Sequence, residues 1–197
     1  MPETTNISNQ SLHSGTGPSD QYELSTLIRD CIAENRSAQQ KMYDLFAPAA
    51  YGTIKRYFYN DEAAAQEILN DAFYKVLTKL KLYSFQGAFE GWIRRIVVNT
   101  ITDYLRKSLK PEQQHKEVQP EDAFVNSVSV EKLSHKELLN LIQTLPDGQR
   151  GVFNLFVMES YSHKEISVLL NITENNSRWY LNDARRRLKE KINFINK

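Results

Sequence analysis

The residues of this chain grouped closely enough to act together are arginines, asparagines and aromatics, not nucleophiles or metal ligands. Four histidines lie scattered, without the HExxH spacing that brings two imidazoles to one helix face. Cys31 is the lone cysteine, which excludes a disulfide framework and a CxxC-type zinc or redox site. It falls in an apolar stripe and reads as core. There is no Walker A glycine loop and no nucleophile elbow. Glu67 and Asp71 stand one helical turn apart, but nothing near them points to acid–base work. The sequence therefore predicts no catalytic residue, no metal and no cofactor.

What it does contain is two basic clusters interleaved with aromatics. Phe89–Lys107 carries Trp92, Arg94, Arg95, Asn99, Asp103, Tyr104, Arg106 and Lys107. Further on come Asn175, Asn176, Arg178 and Trp179, then Arg185, Arg186 and Arg187. Amide and guanidinium groups match the donors and acceptors of base edges and phosphates. Aromatics beside them suit unstacked bases.

The elements that must position these groups are helices. Ser162-His163-Lys164-Glu165 forms a capping box that opens a short helix with Ile166, Leu169 and Leu170 inward. Asn171 tolerates the left-handed backbone of a tight turn, Ile172 plugs that turn, and Thr173 caps a helix from Glu174 to about Ile192. Leu181, Ala184 and Leu188 give this helix an inward seam, leaving Asn175, Asn176, Arg178 and Trp179 on the opposite side. Such a helix-turn-helix suits a major groove, with its later arginines on flanking phosphates.

The first cluster sits on a helix of its own, with a wide apolar face from Trp92 to Leu105. Before it, Leu24, Leu27, Ile28, Cys31 and Ile32 make one helical stripe. A helix from about Ser37 is expected to break at Pro48 and resume through Tyr51, Ile54 and Phe58. Asp61 is the expected N-cap of the next helix, which buries Ile68, Leu69, Ala72, Phe73, Val76, Leu77 and Leu80. Ser84–Ala88 reads as a loop. Leu133–Leu145 is helical and is expected to stop at a turn, Pro146-Asp147-Gly148. No period-2 run bounded by turn residues occurs, so the fold class is all-α.

At 197 residues, 41% apolar and 25% charged, the chain is long enough for one large domain or two small ones. Its polar first stretch, 1–20, reads as a disordered tail. Residues 21–107 form a first helical module, 108–131 a flexible proline-containing acidic linker, and 132–197 a second module. The formal charge of +1 hides this division. The four segments carry −2, +2, −3 and +4 in order, and a basic C-terminal module implies a polyanionic partner. No apolar run approaches the ~20 residues of a membrane span. Neither a basic n-region nor an apolar h-region opens the chain. No membrane insertion and a cytoplasmic location are the expectations.

Phe89-Glu90-Gly91-Trp92-Ile93-Arg94-Arg95-Ile96-Val97-Val98-Asn99-Thr100-Ile101-Thr102-Asp103-Tyr104-Leu105-Arg106-Lys107 resembles the promoter-melting and −10-recognition helix of bacterial sigma factors. Gln66-Glu67-Ile68-Leu69-Asn70-Asp71-Ala72-Phe73 resembles their core-polymerase-binding helix. The run from Leu145-Pro146 through Tyr161–Ile166 to Arg187-Leu188 resembles their −35-binding domain. With these two modules and a short linker, the chain resembles the extracytoplasmic-function (ECF) group of the sigma-70 family.

The resemblance implies a function and a set of partners. Glu67, Asn70 and Asp71 would dock on the β′ clamp helices of core RNA polymerase. Phe85, Gln86, Arg94, Arg95, Asn99, Asp103 and Arg106 would contact the −10 element, the loop Phe85–Phe89 receiving a flipped base. Asn175, Asn176, Arg178, Trp179, Arg185 and Arg186 would contact the −35 element. The chain would be no enzyme, a monomer when free, with promoter DNA and an anti-sigma factor as further partners. Ser177, where the family commonly has an apolar residue, and the bulky Trp179 are departures bearing on the rotation of the recognition helix. The alternatives are a helix-turn-helix regulator acting without replacing sigma, and a helical adaptor that binds protein only.

Overall fold

The computed structural model describes residues 18–108 and 134–195. The expected tail, up to residue 17, and the expected linker, from residue 109 on, lie outside the described residues. Among those described, the secondary structure is helical throughout and contains no strand.

Four helices make the first module: α1 (Pro18–Ile32), α2 (Arg36–Tyr57), α3 (Glu62–Lys79) and α4 (Phe89–Ser108). Side-chain caps set their starts. Asn35 accepts a hydrogen bond from the Ala38 amide at 3.1 Å, and Asp61 accepts from the Ala64 amide at 3.0 Å. Pro48 does not break α2, contrary to expectation. It sits exposed inside an unbroken helix, flanked by the buried Ala47, Ala50 and Ile54. Burial of that face offsets the roughly 3 kcal/mol an interior proline costs. After α3, a 3-10 turn (Leu80–Leu82) leads into the loop before α4. Phe89, 1% exposed, opens α4 in an aromatic cluster, its ring 5.2 Å from Phe46, 4.9 Å from Tyr83 and 5.6 Å from Trp92.

The second module holds α5 (His135–Gln143), α6 (Asp147–Phe153), a π-helical turn (Asn154–Met158), α7 (His163–Leu170) and α8 (Glu174–Ile195). The expected turn at Pro146-Asp147-Gly148 is instead the start of α6, with Pro146 as its N-cap and Asp147 in its first turn. Gly148 is required there for packing, since a Cβ would lie 2.9 Å from the Tyr180 ring. The capping box of α7 forms as expected, with Glu165 returning to the Ser162 amide at 2.8 Å. Thr173 caps α8 by accepting from the Asn176 amide at 3.1 Å.

Asn171 ends α7 in the left-handed region at φ 55° and ψ 48°. Asn171→Val is therefore expected to cost about 1–2 kcal/mol, because a β-branched side chain collides with the backbone there. Asn171→Gly is expected to be neutral or stabilising, because glycine enters the left-handed region without steric cost. Urea denaturation of the three proteins checks both.

The modules are not separate in space. α4 packs on α2 and α3 along one side and on α6 and α7 along the other. One apolar core runs from Leu27 in α1 through α4 to Val152, Leu155, Ile166 and Leu181. A smaller one, Leu141, Leu145, Ala184, Leu188 and Ile192, joins α5 to α8.

Candidate nucleic-acid interface

On α4, Arg94, Arg95, Asn99 and Arg106 are exposed and Asp103 is half-buried. Arg106 pairs with Asp103 one turn back. Asp103 also meets Lys75 of α3 at 3.3 Å, and Lys75 reaches Asp71 at 2.9 Å. Lys75 thus ties the expected polymerase-facing residue to an expected base reader. Burial disfavours its charge, but the hydrogen bonds to Asp71 and Asp103 outweigh it and raise the Lys75 pKa. Arg94 is already engaged: its Nε donates to Glu159 Oε2 at 2.6 Å. Trp92 and Tyr104 are half-buried and pack on the core, Tyr104 edge-on to Phe58 at 5.2 Å.

Before α4, Phe85 holds its ring 47% exposed on a left-handed backbone, φ 57°. The Tyr83 hydroxyl braces that loop by donating to the Gly87 carbonyl at 2.8 Å. Gln86 is exposed beside it. On α3, Glu67, Asn70 and Asp71 share an exposed side. Tyr74, one turn past Asp71 and 69% exposed, continues it. Sequence reasoning missed Tyr74, although its position seven residues after Glu67 is a helical signal.

α8 buries the inward seam expected of it, Leu181, Ala184 and Leu188, but its buried arc is wider than that seam. Arg178 is exposed and Asn175 half-buried, but Asn176 is only 4% exposed and Ser177 is fully buried. Asn176 therefore faces inward, and the expectation that it presents its amide to a groove does not carry over. Ser177 is tolerated inside because it shares a 2.9 Å hydrogen bond with His163 Nδ1. Trp179 packs against the core and edge-on to Tyr180 at 5.4 Å. Arg185 lies over the Phe156 ring at 5.8 Å. Arg186 and Arg187 both donate to Asp183, at 2.5 and 2.7 Å, and Gln149 donates to the same carboxylate at 2.9 Å.

His163 stacks on Phe156 with ring centroids 4.6 Å apart. Burial, with Arg178 and Arg185 adding to it, holds its pKa below the ordinary imidazole value of about 6.5. Between the folded and unfolded pKa values, the unfolded chain binds more protons. Stability must then fall as pH drops below about 6.5 and level off below the folded pKa. The urea midpoint is expected to fall between pH 7.5 and pH 5.5, and His163→Gln is expected to flatten that slope.

The family models for sigma-70 region 2 and sigma-70 region 4 match residues 42–110 and 135–188. Together they account for more than half the chain. The chain belongs to the sigma-70 family. This sigma factor is 28% identical over 141 residues to the ECF RNA polymerase sigma factor SigM of Bacillus subtilis, covering 68% of this chain and 82% of that one. It is 23% identical over 138 residues to the ECF RNA polymerase sigma-E factor of Escherichia coli, covering 64% and 72%. Among solved structures, the sigma factor RpoE in complex with the anti-sigma factor NepR from Bartonella quintana aligns at a TM-score of 0.49 and 15% identity. That alignment covers 80% of this chain and 98% of that one.

The protein is thus an RNA polymerase sigma factor of the ECF group, a non-enzymatic initiation factor. Its region 2 match begins in α2 and takes in α3 and α4, and its region 4 match takes in α5 to α7 and most of α8. No helix among the described residues is long and apolar enough to cross a membrane.

Proposed function

We propose that this sigma factor docks on core polymerase through the outer side of α3, reads the −10 element with α4 and the loop before it, and reads the −35 element with α8. The observation that carries this reading is on α4, where Arg95, Asn99, Asp103 and Arg106 lie along one solvent-facing side. The exposed Phe85 ring stands in the loop before them. Charge alone would serve a duplex. Amide, carboxylate and an exposed aromatic suit bases taken out of the stack. Capture of such bases favours the open duplex by shifting its equilibrium. Asn175, Arg178 and Arg185 are the α8 residues proposed to meet the −35 element, with Arg186 near phosphates. Tethering to polymerase makes the second DNA contact intramolecular, so neither module needs high affinity alone.

Promoter DNA, the β′ clamp helices and an anti-sigma factor are the proposed partners, and the cytoplasm is the proposed location. A helix-turn-helix regulator that leaves sigma in place, or a protein-only adaptor, is not favoured by a chain matching both sigma regions in order. The test is transcription from a promoter library by core polymerase with and without the protein. Specific start sites are expected only with it. Identical start sites in both reactions would overturn the reading. Arg178→Ala is expected to relax preference at one −35 position by roughly 5–100-fold. Uniform weakening across all sequences would reduce Arg178 to a phosphate contact.

A further inference from the structure

Lys75 of α3 sends its ammonium towards α4. Its Nζ lies 2.9 Å from Asp71 Oδ2, 3.3 Å from Thr100 Oγ1 and 3.3 Å from Asp103 Oδ2. An ammonium carries three N–H donors, so each donor here has an acceptor. Asp71 belongs to α3, and Thr100 and Asp103 to α4. Thr100 is 2% exposed and gives its own hydroxyl proton to the Ile96 carbonyl at 2.9 Å, so towards Lys75 its oxygen acts as an acceptor. The lysine head is thus fixed from both helices, between the proposed polymerase face and the proposed −10 side.

Asp103 is the partner that bears on promoter reading. Its Oδ2 accepts from Lys75, and its Oδ1 accepts from Arg106 one turn along α4. An ionised carboxylate offers about four lone-pair sites, so these bonds leave others for a further donor. The two cations are not equivalent. Arg106 is 43% exposed and reaches Asp103 within one helix, a pair that water screens and that a DNA phosphate can draw away. Lys75 is 27% exposed, comes from the neighbouring helix and has two further ties. Lys75 is therefore the group that sets the direction of the carboxylate.

The chemistry of that carboxylate limits what it can read. It only accepts, and cytosine N4 and adenine N6 are amines that donate, whereas thymine presents an oxygen in the same place. A carboxylate that rotates freely loses that freedom on meeting an amine and accepts from many directions. Held in place, it spends no ordering entropy and discriminates by direction. The lysine charge also offsets the repulsion between Asp103 and nearby DNA phosphates. Stability is not the gain, because ion pairs this exposed contribute little to it.

We infer that Lys75 is a positioning residue for −10 recognition: it holds the Asp103 carboxylate in the orientation that accepts from a base bearing an exocyclic amine and disfavours thymine. The inference rests on the proposed reading of α4 as the −10 side. Lys75 touches no base itself and acts through Asp103. Its tie to Asp71 makes the same lysine a neighbour of the proposed polymerase face.

The test takes one promoter selected from the library and places each base in turn at every −10 position. Initiation is measured from core polymerase saturated with the sigma factor, so that docking affinity does not enter. The parent is expected to favour cytosine or adenine over thymine by about tenfold at one position, and Asp103→Ala to flatten that preference. Lys75→Met keeps the apolar stem and removes the ammonium. It is expected to lose most of the tenfold ratio at the same position and to add nothing in an Asp103→Ala background. Lys75→Arg retains a cation and should restore part of the ratio. Lys75→Gln, neutral and shorter, should lose it as Lys75→Met does, so the outcome does not hang on one variant folding. Equal loss of initiation on every sequence, with the ratio kept, would overturn the inference and leave Lys75 a clamp between helices. Flattening by Asp103→Ala beside an unchanged ratio in both neutral lysine variants would overturn the positioning role alone. A parent-like preference in Asp103→Ala would sink the proposed base-reading role of Asp103, and the inference with it, so the two failures are distinguishable.

Discussion

Phe89→Ala is expected to destabilise the sigma factor by about 3–5 kcal/mol, the usual cost of deleting a fully buried aromatic ring. Phe89 is 1% exposed and touches the Phe46, Tyr83 and Trp92 rings. Its removal loses the transfer free energy of the ring and leaves a void that three rigid neighbours cannot easily fill. Edge and stacked ring pairs add to that loss beyond area alone. For a chain of this length the melting temperature should fall by roughly 6–20 °C. The site should suffer as well, because Tyr83 braces the Phe85 loop through Gly87. Phe89→Leu keeps most of the volume and should recover much of the stability, while still loosening the loop. Thermal unfolding of the two variants checks the first claim, and binding of a single-stranded −10 oligonucleotide by Phe89→Leu checks the second. A loss below about 1 kcal/mol for Phe89→Ala would mean the cluster is not packed as described.

What could be read from the chain beforehand follows the range of the forces involved. Asp61, Ser162, Asn171 and Thr173 act within four residues of themselves, and each caps or ends its helix as its chemistry dictates. Pro48 misled because its local cost is outweighed by burial of a face whose partners lie on other helices. Asn176 and Ser177 are inward for a similar reason. Polar side chains read as exposed unless a partner satisfies them, and the partner of Ser177 is His163, fourteen residues away. The capture of Arg94 by Glu159 spans 65 residues and two modules, and no spacing rule reports it. The candidate −10 side of α4 was legible because helical periodicity alone sorts Arg95, Asn99 and Asp103 from the apolar positions. The side of α4 that meets α6 and α7 was hidden within that same wide apolar face, since periodicity does not say how many neighbours share a helix.

Asp71→Arg is expected to weaken association with core polymerase at least about thirtyfold, on the proposed reading of α3. The carboxylate is half-exposed and pairs with Lys75 at 2.9 Å, so its replacement should change stability by no more than about 1 kcal/mol. Lys75 keeps Asp103 as a partner, which limits disturbance of α4. Binding is another matter. A docking face loses its water, and a reversed charge is then buried without a counter-ion, a change that typically costs 2–5 kcal/mol. Tyr74, exposed one turn away, has the size and rigidity of an interface anchor, and Tyr74→Ala should weaken binding in the same direction. Asp44→Arg reverses an exposed charge on α2, outside that face, and should leave affinity unchanged. Titration of labelled sigma factor with core polymerase gives all three dissociation constants, and circular dichroism verifies the folds. Equal loss from Asp44→Arg and Asp71→Arg would signal nonspecific electrostatics. Parent-like affinity for Asp71→Arg would move the docking surface off α3 altogether, because no folded interface centred on that carboxylate absorbs a guanidinium without loss.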